Sequence, residues 1–219
     1  MSLRQRRGMT LLEVIVALTV AGGALAAGAA VLGFLTDQQE RTGAQAVLSA
    51  HAVRTTMREW TAAARLATEG DAEFRGTPTS RAMGASLTSA ANDDAADELT
   101  FVTSAPTEIA PAGTQVHIYM KRAGSDSTQA HGLVAELTPW RHAGAPVIIE
   151  LAPDAVGFQA RYLGSIFGRR IWQPSWISTS VLPMAVELRV LFDTSAASPD
   201  RAAHALLGLP MTIPLAARR

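Results

Sequence analysis

Residues 4–14 read Arg4-Gln5-Arg6-Arg7-Gly8-Met9-Thr10-Leu11-Leu12-Glu13-Val14. Three arginines precede a glycine, and a carboxylate follows it at the edge of an apolar run. From Val14 to Leu35, which is 22 residues counted inclusively from 14 to 35, no charged side chain occurs. At about 1.5 Å per residue, a helix of that length covers a bilayer core of about 30 Å. The run is rich in alanine and glycine rather than leucine, a composition suited to close packing between helices. Arg4, Arg6 and Arg7 flank its N-terminal side and predict that this end stays in the cytoplasm. The remainder of the chain is then expected across the membrane, anchored by a single span.

Two ordinary segments share this layout. A secretory signal peptide has a basic start, an apolar middle and a small-residue site, here Ala24-Leu25-Ala26-Ala27. An uncleaved signal anchor has the first two. Neither accounts for Glu13, since an acid at the bilayer centre costs roughly 2.5–3.5 kcal/mol on insertion scales. A third reading gives every residue a task. Gly8 has no side chain, so a protease can approach the Gly8–Met9 peptide bond closely. The basic leader holds that bond at the cytoplasmic face. Cleavage frees an amine on Met9 and makes Glu13 the fifth residue of the mature chain. In a filament of staggered helices, that carboxylate meets the amine of a neighbouring subunit, and the two charges are buried as a pair.

The stretch RRGMTLLEVIVALTV, residues 6–20, resembles the N-terminal processing motif of type IV pilins and type II secretion pseudopilins. Gly8, Thr10, Leu11, Leu12 and Glu13 match the pattern, and Met9 stands where the family usually has phenylalanine. The resemblance implies cleavage after Gly8 by a prepilin peptidase, N-methylation of Met9, and assembly through Glu13.

The whole chain agrees with an anchored domain. Its 219 residues allow one domain of ordinary size plus an appendage, and a hydrophobic share of 48% argues against a membrane bundle. Lys+Arg and Asp+Glu balance at 19 each, so no net field draws the protein onto nucleic acid. There are no cysteines, which excludes a disulfide scaffold, a thiolate metal site and a cysteine nucleophile.

Beyond Leu35 the sequence turns polar without a helix breaker. Val53, Met57, Trp60 and Ala64 step by helical spacing and mark one apolar side, which reads as core packing. One helix is expected from Met9 to about Ala67, stopped by Glu69-Gly70-Asp71. Residues 68–97 read as loop. The expected strands are Glu98–Thr103, Gln115–Lys121, Gly132–Leu137, Val147–Leu151, Ala155–Leu163 and Met184–Asp193, with a last edge at Thr212–Ala216. Gly124-Ser125-Asp126 is expected to close a hairpin, and Val116, Ile118 and Met120 alternate with polar neighbours as on a half-buried strand. The expected fold is therefore α+β and pilin-like: a long N-terminal helix packed on a mostly antiparallel sheet. Its parts are a leader at 1–8, a transmembrane assembly half at 9–35, an amphipathic half at 36–67, and a periplasmic β-rich domain at 68–219.

The C-terminal half narrows the resemblance. LVAELTPW, APDAVGFQARYLG and IWQPSWISTSVLPMAVELRVLF follow in this order. They resemble the J-type minor pseudopilin family of type II secretion, known as general secretion pathway protein J. Phe158, Tyr162, Trp172, Trp176, Leu182, Pro183, Ala185 and Val186 carry the match. The resemblance implies a non-enzymatic subunit of the inner membrane that supports protein export across the outer membrane. It implies as partners the prepilin peptidase, the major pseudopilin and the I-type and K-type minor pseudopilins, with no cofactor. A minor pilin of a type IV pilus is the alternative within this class. A signal-anchored periplasmic binding or enzyme domain is the alternative outside it.

Other chemistry finds little footing. The histidines at 51, 117, 131, 142 and 204 lack metal-ligand spacing. Asn92-Asp93-Asp94 with Asp97-Glu98 is the one acidic cluster, but it lacks an EF-hand layout and reads as a solvated loop. No Gly-x-Ser-x-Gly elbow or phosphate loop occurs. Trp172 and Trp176 are four apart with Pro174 between them, so they either cap the core or form a partner-facing patch.

Overall fold

The computed structural model describes residues 11–66, 73–78, 97–107, 109, 113–121, 132–141, 144–193 and 200–215. The chain divides into two compact units, 1–46 and 47–219. Helix α1, Leu11–Ala62, supplies the described part of the first and the opening of the second.

In the first unit, Val14–Phe34 is apolar and long enough to cross a membrane, with a mean hydropathy of 2.2. Its hydroxyls are satisfied within the helix. Thr19 Oγ1 donates to the carbonyls of Ile15 and Val16, each at 2.9 Å, and Thr36 Oγ1 donates to Leu32 at 2.9 Å. A side chain that bonds back to its own helix leaves no polar group to be desolvated in lipid.

The second unit opens with the last turns of α1. Of the side foreseen from the spacing, Met57, Trp60 and Ala64 are buried and Val53 is half-buried, and Ala50 and Thr61 are buried as well. The helix ends five residues earlier than the expected Ala67, at Ala62. Ala64–Arg65 instead forms β1 and pairs antiparallel with Thr103 and Val102. Alanine at 64 fits a helical stripe and a strand alike, so a neighbouring strand with free backbone groups decides the matter. That neighbour also closes the helix end. Thr103 Oγ1 donates to the Trp60 carbonyl at 2.8 Å, and the Ser104 amide donates to the Ala63 carbonyl at 3.0 Å. Carbonyls that a helix terminus leaves open are thereby paired.

The remaining elements are β2 (Phe74–Thr77), β3 (Glu98–Thr103), β4 (Thr114–Lys121), β5 (Gly132–Pro139), β6 (Val147–Ala152), β7 (Ala155–Ile166), β8 (Arg169–Gln173), β9 (Trp176–Ser178), β10 (Ala185–Phe192), α2 (Arg201–Gly208) and β11 (Met211–Pro214). Two sheets form rather than the single one expected. A seven-stranded sheet runs β6-β5-β4-β3-β2-β9 with β1 also on β3, and a four-stranded sheet runs β11-β10-β7-β8. Every described pairing is antiparallel. The α+β class and the antiparallel sheet are therefore as expected.

Strand β7 packs against β3, β4 and β5 across the gap between the sheets. Phe101, Val116, Ile118 and Leu137 of one sheet and Phe158, Tyr162, Val186 and Ile213 of the other are fully buried. Phe74 joins them, stacked on Phe101 at 5.9 Å and edge-on to Tyr162 at 6.1 Å. Such ring pairs contribute about 0.5–1.5 kcal/mol each beyond the area they bury. Gly76, two residues after Phe74 on the same face of β2, is where the Tyr162 phenol lies; a Cβ there would overlap it.

The seven expected strands are found, with ends shifted by up to three residues. Five elements depart from expectation besides the second sheet's arrangement. Strand β1 replaces the expected helix end, β2 lies in the stretch read as loop, and β8, β9 and α2 were not foreseen. Helix α2 is only eight residues long and is held from outside. Ala203 and Leu207 bury against β10, and the His204 ring stacks on Phe192 at 4.3 Å. Arg54 of α1 donates to the carbonyls of Leu206 at 2.9 Å and Leu209 at 2.7 Å, a cationic cap on the α2 C-terminus. The Gly124-Ser125-Asp126 hairpin tip lies outside the described residues, although the strands beside it do pair.

Candidate functional site

The Gly8–Met9 bond lies outside the described residues, and so does the side chain of Glu13; the Glu13 backbone belongs to α1. What the first unit does display is an apolar helix surface. Leu18, Val20, Leu25, Leu32 and Phe34 are exposed along it. A Cβ placed on Gly22, Gly23, Gly28 or Gly33 would touch nothing. No contact among the described residues requires glycine at these positions, although each costs about 1 kcal/mol relative to alanine inside a helix. Gly22, Ala26, Ala30 and Gly33 fall within roughly a quarter of the helix circumference, at spacings of four, four and three. Small residues so placed let another helix backbone come close.

Trp172 and Trp176 sit on β8 and β9, which belong to different sheets. The Pro174-Ser175 link between them carries the chain from one sheet to the other. Both rings are half-buried. The guanidinium of Arg161 lies 5.6 Å from the Trp172 ring centre, and Arg161 also pairs with Glu187 at 3.5 Å. Trp176 Nε1 donates to the Val181 carbonyl at 3.0 Å, and its ring packs where a Cβ on Gly164 would collide. Each indole is thus fixed on one side and open on the other. Among the described residues no ring contact joins the two tryptophans.

Several described titratable groups near the sheets make contacts within the fold. His117 stacks on Tyr119 at 4.5 Å, with Nε2 3.5 Å from Glu98. His204 Nε2 is 3.4 Å from Asp154. His131, His142 and Asn92-Asp93-Asp94 lie outside the described residues. Asp97, read as part of a solvated acidic loop, instead bridges the sheets. Its amide donates to the Phe158 carbonyl at 3.0 Å, and its Oδ2 accepts from the Ala160 amide at 2.7 Å. Burial pushes its carboxyl up to about 6, with the Ala160 hydrogen bond pulling the other way. Tyr162 nearby is held far above the usual phenol range, first by burial and then by the Asp97 charge. Its hydroxyl has no hydrogen-bond partner among the described residues. Among the described residues, no three histidine, aspartate or glutamate side chains gather where they would hold a metal ion.

Sequence reasoning missed three residues that position this region: Asp97, Arg54 and Gly76. Only Asp97 left a local signal, an acid directly before a strand. The pairing of Arg54 with a helix more than 150 residues away leaves none.

No protein-family model matches the chain, and no curated protein matches it.

Proposed function

We propose that the chain is a non-enzymatic, membrane-anchored subunit of a type II secretion pseudopilus, a pilin-like minor pseudopilin of the J type. Hydrolysis of the Gly8–Met9 bond at the cytoplasmic face leaves a carboxylate on Gly8 and an ammonium on Met9, which is then methylated. The mature chain lies in the inner membrane with Glu13 near its start and its β-rich domain in the periplasm. Assembly draws the helix into a filament, where Glu13 neutralises the Met9 amine of a neighbouring subunit.

One observation carries this reading. The glycine–apolar–acid junction opens directly into a helix of 52 residues that begins apolar and ends amphipathic. Small residues that no contact among the described residues requires are grouped on one side of its apolar part. They support a helix that packs against copies of its own kind rather than one that only anchors. The half-open Trp172 and Trp176 give the domain a face for the I-type and K-type subunits, since aromatic residues are favoured anchors at interfaces.

The test is genetic. Deleting the gene in its host is expected to stop export of the proteins that leave by type II secretion, and the wild-type chain is expected to restore it. Loss of twitching or surface pili with export intact would assign the chain to a type IV pilus instead.

A further inference from the structure

The hairpin joining β7 and β8 departs from what the fold needs. Strand β7 has 12 residues, about 40 Å of extended chain, and its far end runs beyond the core. Phe158, Ala160 and Tyr162 point inward and are buried. The same face continues outward through Ile166, which is directly opposite Arg169, while Gly164 is opposite Ile171. Ile166 and Ile171 there are 39% and 42% exposed. At the tip, Phe167 and Gly168 have φ of 50° and 76°, the two positive values of a type I′ turn. Asparagine or glycine suits that first position, and a bulky side chain there is strained. Phe167 is also 101% exposed, so no packing offsets the strain.

The charge around the tip is one-sided. Between Asp154 and Glu187 the sequence has no acidic residue, although the whole chain is balanced. Arg161 is occupied by Glu187 and Trp172. Arg169 and Arg170 are exposed and have no carboxylate partner among the described residues. The tip therefore presents one aromatic ring, two flanking isoleucines and two exposed guanidiniums.

We propose that this hairpin docks on an anionic phospholipid bilayer, with Phe167 in the interface and Arg169 and Arg170 on lipid phosphates. A phenylalanine ring buries at the boundary between headgroups and acyl chains, and guanidinium matches phosphate geometry. The same chain carries a helix apolar enough to span a membrane, so insertion keeps a bilayer surface at high local concentration. The proposal rests on that span alone and not on a role in secretion.

The chain has no cysteine, so one introduced thiol labels one place. The full chain, carrying an environment-sensitive fluorophore on Ser165→Cys or on Arg201→Cys, is reconstituted into phosphatidylcholine vesicles with or without phosphatidylglycerol. Nitroxide lipids are expected to quench the label at 165 and not that at 201, and only with the anionic lipid present. Arg169→Gln with Arg170→Gln is expected to lower the docked-to-free ratio roughly thirtyfold. Phe167→Asn is expected to remove the quenching while raising the melting temperature, which separates lost docking from lost folding. Equal quenching at both labels, or quenching that ignores these substitutions, overturns the proposal. Protection at 165 that needs an added pseudopilin domain and no lipid also overturns it and assigns the tip to protein contact. A chain that fails to float with the vesicles overturns the span and the docking together.

Discussion

The Asp97 carboxylate accepts the Ala160 amide at 2.7 Å and so ties the start of β3 to the middle of β7, one strand from each sheet. The tie is made by a group that burial would rather keep protonated. Its carboxyl is pushed from 3.8 up to about 6. The folded chain therefore holds more protons than the unfolded chain between those values. Stability from this group is full below pH 3.8 and is lost as pH rises through about 6. Asp97→Asn keeps an acceptor for Ala160 and removes the charge. Its melting temperature relative to wild type is expected to rise across that window and to be the higher of the two at neutral pH. A difference that does not change with pH would refute the assignment.

A second prediction concerns the contact beneath Tyr162. Gly76→Ala places a methyl group against the buried phenol and is expected to cost about 1–3 kcal/mol in urea unfolding, by overpacking. Tyr162→Phe deletes a buried hydroxyl that has no partner among the described residues and is expected to be neutral or slightly stabilising. Combining the two should recover part of the glycine loss, because the clash is with the phenol end. Strict additivity would show that Gly76 matters for another reason.

The cap on α2 gives a third. Arg54→Met retains the aliphatic stem and removes the donors to Leu206 and Leu209. A loss of about 1–3 kcal/mol is expected, since these are charged hydrogen bonds in a partly buried setting. Amide exchange should quicken across 203–209 before it does in β10. Unchanged exchange there would mean that burial of Ala203 and Leu207 alone holds the helix.

These three sites show where the sequence was readable and where it was not. The alternating and apolar strands from β3 to β7, and β10, were legible because one period decides both the strand and its inward face. The helix was legible for the same reason over Met57 and Trp60. Its end was not, since Ala64 satisfies both periods and only the edge of β3 selects a strand. Strand β2 was hidden because it has four residues and includes a glycine, normally a weak strand former, whose reason lies in distant Tyr162. Strands β8 and β9 were masked by Pro174, which breaks the run at the point where the chain changes sheets. The candidate site divides in the same way. The expected motif from Gly8 to Glu13 is local in sequence, but its scissile bond and acidic side chain lie outside the described residues, whereas Asp97, Arg54 and Gly76 gain their roles from tertiary neighbours.

The assembly role proposed for Glu13 yields a fourth prediction. Glu13→Ala removes one member of the proposed buried ion pair, at a cost of about 3–5 kcal/mol in the filament. Export and filament incorporation are expected to fall sharply, while membrane insertion and the fold of the domain remain. Full export with alanine at 13 would remove the reason for the acid.

The proposal that this chain is a processed pseudopilin is tested most directly by the N-terminus of the protein recovered from membranes of its own host. Mass spectrometry is expected to find a chain that begins at N-methylated Met9, and Gly8→Val is expected to leave the leader attached while the protein still inserts. A chain that begins at Ala27 or Ala30, or that retains Met1 in the wild type, would contradict it.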